Sequence, residues 1–102
     1  IFIDDVINLL NKVPNSSSIP KKTTYINVGS GKAVNVKEII SIISCLLKRE
    51  IVTNIDKDRM RSDERNIEYS NVEKAYELFS WRPETSLKAG INNILRDYRL
   101  VT

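Results

Sequence analysis

The sequence lacks histidine altogether and has a single cysteine, Cys45. An internal disulfide is therefore excluded, as are metal sites built on imidazole or on paired thiolates. No apolar run approaches the roughly 18 residues that span a bilayer, and the first residues lack the order of a signal peptide. These absences predict a cytoplasmic protein without a membrane segment or a resident metal.

The composition of the sequence predicts one globular domain over residues 1–102. A content of 41% hydrophobic and 28% charged residues is typical of soluble globular proteins and argues against disordered or fibrous classes. The net charge of +3 arises from acids and bases that are interspersed along the chain. A small anion such as a diphosphate needs only one or two arginines, so it would explain a local basic site. Because the charges are not segregated, a nucleic-acid partner is not expected.

Four segments carry apolar residues at the spacing of an amphipathic helix. Each begins at a candidate capping residue: Asp4 or Asp5, Asn35 with Glu38, Ser70 or Asn71, and Thr85 or Ser86. The apolar stripes run over Val6–Val13, Val36–Leu47, Val72–Phe79 and Leu87–Tyr98. Cys45 projects away from the second stripe, which predicts an unreactive thiol.

Short strands are predicted between these helices at Tyr25–Val28, Ile51–Ile55 and Ile67–Tyr69. Ile1-Phe2-Ile3 resembles the end of a further strand, so we expect the chain to begin inside a larger protein. Together the helices and strands predict an α/β fold.

Most candidate chemical motifs have a structural interpretation. Gly29-Ser30-Gly31-Lys32 lacks the length of a phosphate-binding P-loop and the third glycine of a dinucleotide-binding turn, so it predicts a simple strand-to-helix turn. The neighbouring Asp4 and Asp5 favour helix capping over an acid/base pair, and Trp81 favours a place in the core over stacking on a ligand.

The charged segment Arg59-Met60-Arg61-Ser62-Asp63-Glu64-Arg65 is different, because guanidinium groups bind phosphates bidentately and carboxylates accept from ribose hydroxyls. It has no interleaved aromatic residues, which argues against a stacking platform for single-stranded nucleic acid. A ligand-binding loop and a solvated surface loop both fit this composition.

Several short segments of the sequence resemble, in the same order, the C-terminal region of a known enzyme family. This family is the NAD-dependent epimerase/dehydratase branch of the extended short-chain dehydrogenases, which includes the UDP-glucose epimerases. The family's hydrophobic-aromatic-Val-Asp-Asp-Val segment is similar to residues 1–6, and its Tyr-Asn-Leu-Gly-Ser/Thr-Gly pattern is similar to residues 25–31. Its Asp-x-Ser-Lys-Ala, Leu-Gly-Trp-Lys-Pro and Ser-Leu-Glu-Glu-Gly-Leu pieces are similar to residues 71–75, 78–83 and 86–91. The resemblance implies a small C-terminal substrate domain, helices packed on short strands, with the Rossmann domain absent.

The resemblance also implies the site residues. Counted back from Lys74, Arg61 falls at the arginine that contacts the substrate diphosphate, and Glu64 at the acid that contacts the ribose; Arg59 adds positive charge at the rim. Ser62 and Asp63 replace the family's Pro and Gly.

In the family, the NAD-binding loop and the catalytic Tyr-x-x-x-Lys pair lie upstream of the segment that residues 1–6 resemble. The resemblance therefore implies that this chain binds substrate without catalysing the reaction. The implied partners are a nucleotide-diphosphate sugar and an N-terminal Rossmann domain that holds NAD, and an oligomer is compatible with the pattern. The alternative is a stand-alone basic module for RNA or an acidic protein, using Lys21, Lys22, Arg59, Arg61 and Arg65.

Overall fold

The structure is a computed structural model that describes residues 1–16, 22–60 and 67–102. Over these ranges the chain forms four α-helices: α1 Ile3–Lys12, α2 Val36–Leu47, α3 Glu73–Phe79 and α4 Leu87–Asp97. One turn of 3₁₀ helix at Lys57–Arg59 lies between α2 and α3. The described part of the chain contains no β-strand, so the predicted α/β class, with helices packed on short strands, is wrong.

The predicted strands fail for a specific reason. A strand is completed by backbone hydrogen bonds to a neighbouring strand. Tyr25–Val28, Ile51–Ile55 and Ile67–Tyr69 make no such bonds to any described residue. Ile3, predicted as the end of another strand, is instead the first residue of α1.

Side chains accept hydrogen bonds from backbone N–H groups near the start of three helices. Asn35 Oδ1 accepts from Lys37 N at 2.8 Å, Asn71 Oδ1 accepts from Glu73 N at 3.0 Å, and Ser86 Oγ accepts from Ala89 N at 3.2 Å. The capping predictions at Asn35 and Ser86 are confirmed, whereas the N-cap residue of α3 is Val72, which follows Asn71 and makes no side-chain cap bond. The predicted cap at Asp4 or Asp5 is wrong, because α1 starts at Ile3 after Phe2, which places both carboxylates inside its first turn.

The core is small. Leu9, Ala75 and Trp81 form a buried cluster, and Leu95 of α4 is also buried. The predicted core position of Trp81 is confirmed by its 2% exposure. Ile26 and Val28 pack against the cluster from the segment that precedes the glycine turn.

The molecule is thin and extended for its length. It measures 51 × 39 × 17 Å with a Cα radius of gyration of 17.2 Å, whereas a compact domain of this length has about 13 Å. Its accessible surface is 9006 Å², compared with about 5,900 Å² for a compact monomer of this mass.

None of the helices in the described ranges has the length and apolar character needed to cross a membrane.

Candidate functional site

The predicted ligand-binding residues are Arg59, Arg61 and Glu64. Arg61 and Glu64 lie outside the residues that the structure describes. Arg59 is the last residue of the 3₁₀ turn, which is capped at Asp56, whose Oδ1 accepts from Asp58 N at 3.1 Å. The turn thus holds Arg59 on the surface of the connection between α2 and α3.

The guanidinium of Arg59 is accessible to a ligand. Its Nε lies 3.3 Å from Asp56 Oδ2, and the Arg59 side chain is 88% exposed. An ion pair at this exposure contributes little stability, because water and salt screen it. Arg59 can therefore exchange its contact with Asp56 for a phosphate at little cost.

A second set of residues forms the best-defined polar junction in the described part of the chain. Asp5 is 5% exposed, and its two carboxylate oxygens accept from Glu84 N and Thr85 N, each at 3.1 Å. Its backbone carbonyl accepts from Trp81 Nε1 at 3.0 Å. This Asp5 junction, comprising Asp5, Trp81, Glu84 and Thr85, fastens the first turn of α1 to the segment that leads into α4.

Two glycines allow close packing beside this junction. A Cβ at Gly90 in α4 would lie 3.2 Å from Phe2 Cδ2, so the absence of a side chain lets α4 approach the start of α1. A Cβ at Gly29 would collide with the Ser70 hydroxyl. The absence of a side chain at Gly29 therefore lets the glycine turn pack against Ser70, shortly before α3, although the strand predicted ahead of the turn is not formed.

An open depression of about 420 Å³ lies at the C-terminal ends of α1 and α3. Part of its lining has a structural role, since Asn15 Nδ2 donates to Asn11 O at 3.0 Å and Ser16 Oγ donates to Leu78 O at 3.4 Å. Lys12 is the charged side chain in the lining. With one cation and no carboxylate beside it, the lining offers no acid/base pair for catalysis.

Within the described ranges, no three histidine, cysteine, aspartate or glutamate side chains come close enough to hold a metal ion. Cys45 is exposed on α2, away from the apolar stripe, as its position in the helix predicted.

No protein-family model matches this chain, and comparisons with curated proteins and with solved structures find no match either.

Sequence reasoning missed the Asp5 junction. The pattern Asp4-Asp5 indicated only a helix start, and nothing in its neighbourhood identifies partners that lie about eighty residues away. Hydrogen bonds between a side chain and a distant backbone depend on the tertiary fold, which local spacing does not encode.

Proposed function

We propose that this chain is the nucleotide-sugar-binding part of an NAD-dependent sugar-nucleotide epimerase or dehydratase. It binds the nucleotide diphosphate of the substrate, while NAD and the catalytic residues belong to an N-terminal Rossmann domain. Its contribution to catalysis is to position the sugar for hydride transfer.

The observation that carries this proposal is that three resembling pieces meet at the Asp5 junction or directly beside it. Asp5 comes from residues 1–6, Trp81 from residues 78–83, and Gly90 from residues 86–91. Asp5 bonds to Trp81, and Gly90 packs on Phe2 of the first piece. Pieces so distant in sequence are expected to meet if they belong to one inherited fold, and chance similarities have no reason to do so.

The exposed apolar surface supports a large partner. The accessible surface exceeds that of a compact monomer by roughly 3,100 Å², which is at least the roughly 1,000–2,500 Å² that one partner contributes to an obligate interface. In α1 the exposed aliphatic side chains are Ile3, Ile7 and Leu10, whose spacing places them along one side of the helix. We assign this uncovered surface to contact with the Rossmann domain.

The proposed binding chemistry uses the charged segment. The guanidinium fork of Arg61 matches two phosphate oxygens, and Arg59 adds a second positive charge. Glu64 accepts hydrogen bonds from the vicinal hydroxyls of the ribose. The exposure of Arg59 supports this assignment, because its side chain is available to an incoming ligand.

The proposal is tested by titrating the chain with UDP-glucose, a dTDP-sugar and inorganic pyrophosphate, followed by NMR of the backbone amides. We expect saturable shifts at residues 59–64 that require the nucleoside and that disappear in Arg61→Ala. Arg96→Ala is the matched control, since Arg96 is exposed on α4 outside the charged segment.

Equal shifts with every polyanion, unchanged in Arg61→Ala and lost steeply with salt, would contradict the proposal. That outcome would favour the basic interaction module for RNA or an acidic protein.

A further inference from the structure

Asp56 makes two contacts within the 3₁₀ turn that presents Arg59, one with each carboxylate oxygen. Its Oδ1 accepts from Asp58 N at 3.1 Å, which caps the turn. Its Oδ2 lies 3.3 Å from Arg59 Nε. Because one carboxylate makes both contacts, the cap also holds a negative charge beside the guanidinium.

The formal charges of the turn cancel over residues 56–59. Asp56 and Asp58 carry negative charges, whereas Lys57 and Arg59 carry positive ones. An anion that approaches Arg59 therefore also meets the Asp56 carboxylate, which repels it at short range. The turn attracts anions less than its two basic residues would do without this carboxylate.

The contact between Asp56 and Arg59 is open to exchange. The side chains of Arg59 and Asp56 are 88% and 56% exposed, so solvent and dissolved ions reach both groups. An ion pair at such exposure contributes little free energy. It is nevertheless present at high effective concentration, because both partners belong to the same short turn. An external anion has to bind better than this neighbour in order to take its place.

We infer that Asp56 is an internal competitor for the diphosphate at Arg59 and so determines which anions bind there; this inference rests on the proposed function. In the ligand-free chain the Asp56 carboxylate occupies the guanidinium. An anion with one charge, such as acetate, offers Arg59 no more than Asp56 already does. A diphosphate offers several charged oxygens and displaces the carboxylate. Asp56 thereby makes Arg59 selective for multiply charged phosphates.

The exchange of partners leaves the turn capped. The cap uses Oδ1 of Asp56, whereas the contact with Arg59 uses Oδ2. Arg59 therefore leaves Asp56 without breaking the bond from Asp58 N. The expected signature of diphosphate binding is a change at Arg59 Nε–Hε with a smaller change at the Asp58 amide.

Asp56→Asn separates the two contacts of Asp56. Asparagine caps as well as aspartate does, so its amide oxygen retains the bond from Asp58 N while the negative charge is lost. Asp58→Asn is the matched control, because it removes the same charge from the same turn and leaves the contact between Asp56 and Arg59 in place. Asp56→Ser, a second capping residue without charge, repeats the comparison with a different side chain.

The probes are inorganic pyrophosphate and acetate, followed by NMR of Arg59 Nε–Hε and of the Asp58 amide. We expect Asp56→Asn and Asp56→Ser to bind pyrophosphate about two- to fivefold more tightly than the native chain, the range of an exposed ion pair. Asp58→Asn should have a smaller effect. Acetate should shift Arg59 Nε–Hε more in Asp56→Asn than in the native chain, because the competing carboxylate is gone.

The inference would be overturned if Asp56→Asn and Asp58→Asn bound pyrophosphate equally well, since the effect would then be one of net charge alone. Weaker binding in Asp56→Asn, or no response at Arg59 in any variant, would overturn it too. Tighter pyrophosphate binding in Asp56→Asn, with nucleotide sugars binding no better than pyrophosphate, would support the competition while the proposed function fails. Specific binding of nucleotide sugars with unchanged affinity in Asp56→Asn would support the proposed function and exclude the competition.

Discussion

Asp5 shows how one side chain can join distant parts of a chain. Its carboxylate accepts from two backbone N–H groups ahead of α4, and its carbonyl accepts from the indole of the single tryptophan. Because all three bonds lie at a buried or partly buried site, the loss of one acceptor leaves a donor without a partner. Such an unsatisfied buried group costs about 1–3 kcal/mol.

Asp5→Asn should therefore lower the free energy of unfolding by about 1–3 kcal/mol, since an amide offers one acceptor oxygen where the carboxylate offers two. Urea unfolding followed by Trp81 fluorescence measures the change at the junction itself. The matched control is Asp4→Asn on the exposed side of the same turn. Equal stability of the two variants would show that the Glu84 and Thr85 bonds contribute nothing measurable.

Ser80 ends α3 in the left-handed conformation, with φ 51° and ψ 37°. A residue with a Cβ is strained there by roughly 1–2 kcal/mol, while glycine is not. Ser80→Gly should therefore raise the free energy of unfolding by about 1 kcal/mol, after the entropy that glycine loses on folding.

Thermal unfolding by circular dichroism checks this increase. Ser41→Gly, at an exposed position inside α2, is the control and should destabilise the chain, because glycine weakens a helix interior. Destabilisation by both substitutions would mean that the strain at Ser80 is relieved in solution.

At the scale of elements, α2 and α4 differ in how many of their residues are buried in the core. α2 contains no buried residue, whereas α4 buries Gly90 and Leu95. The stability of α2 therefore depends on partly buried contacts, which include α4, together with its own cap. A helix with few buried contacts opens locally at a lower free energy than one anchored in the core.

Native-state hydrogen exchange should show α2 amides exchanging faster than those of α4. Asn35→Ala removes the cap that accepts from Lys37 N and should cost about 1 kcal/mol, which corresponds to roughly fivefold faster exchange in α2. Asn35→Asp retains an acceptor and serves as the control. If the amides of α2 exchanged more slowly than those of α4, the assignment of α4 as the better-anchored helix would be contradicted.

The same contrast explains which elements could be predicted from the sequence. Helix starts at Asn35 and Ser86 were predictable, because caps and apolar stripes are encoded within a few residues. The strands were not, because Tyr25–Val28 has a strand-like sequence but a strand requires a partner elsewhere. For the candidate site, the Arg59 side chain is 88% exposed, and its role in ligand binding stays a prediction. The roles of Arg61 and Glu64 stay predictions.

At the scale of the whole molecule, shape and exposed surface are linked. The molecule measures 51 × 39 × 17 Å, and many of its large apolar side chains are exposed. Large exposed apolar residues occur in α1, α2 and α4, among them Ile3, Val36 and Ile94. Extensive exposed apolar surface of this kind marks an interaction site.

Small-angle X-ray scattering on the dilute chain tests this shape directly. We expect a radius of gyration near the 17.2 Å of the structure, well above the roughly 13 Å of a compact domain of the same length. A dye that fluoresces on apolar surfaces should bind the native chain, and Ile3→Ser with Ile7→Ser should reduce that binding without disturbing the core, because both side chains are exposed. A radius near 13 Å with little dye binding would mean that the helices cover each other in solution. In that case the chain would present no apolar surface for the proposed Rossmann domain, and the partner part of the proposal would fail while the nucleotide titration could still succeed.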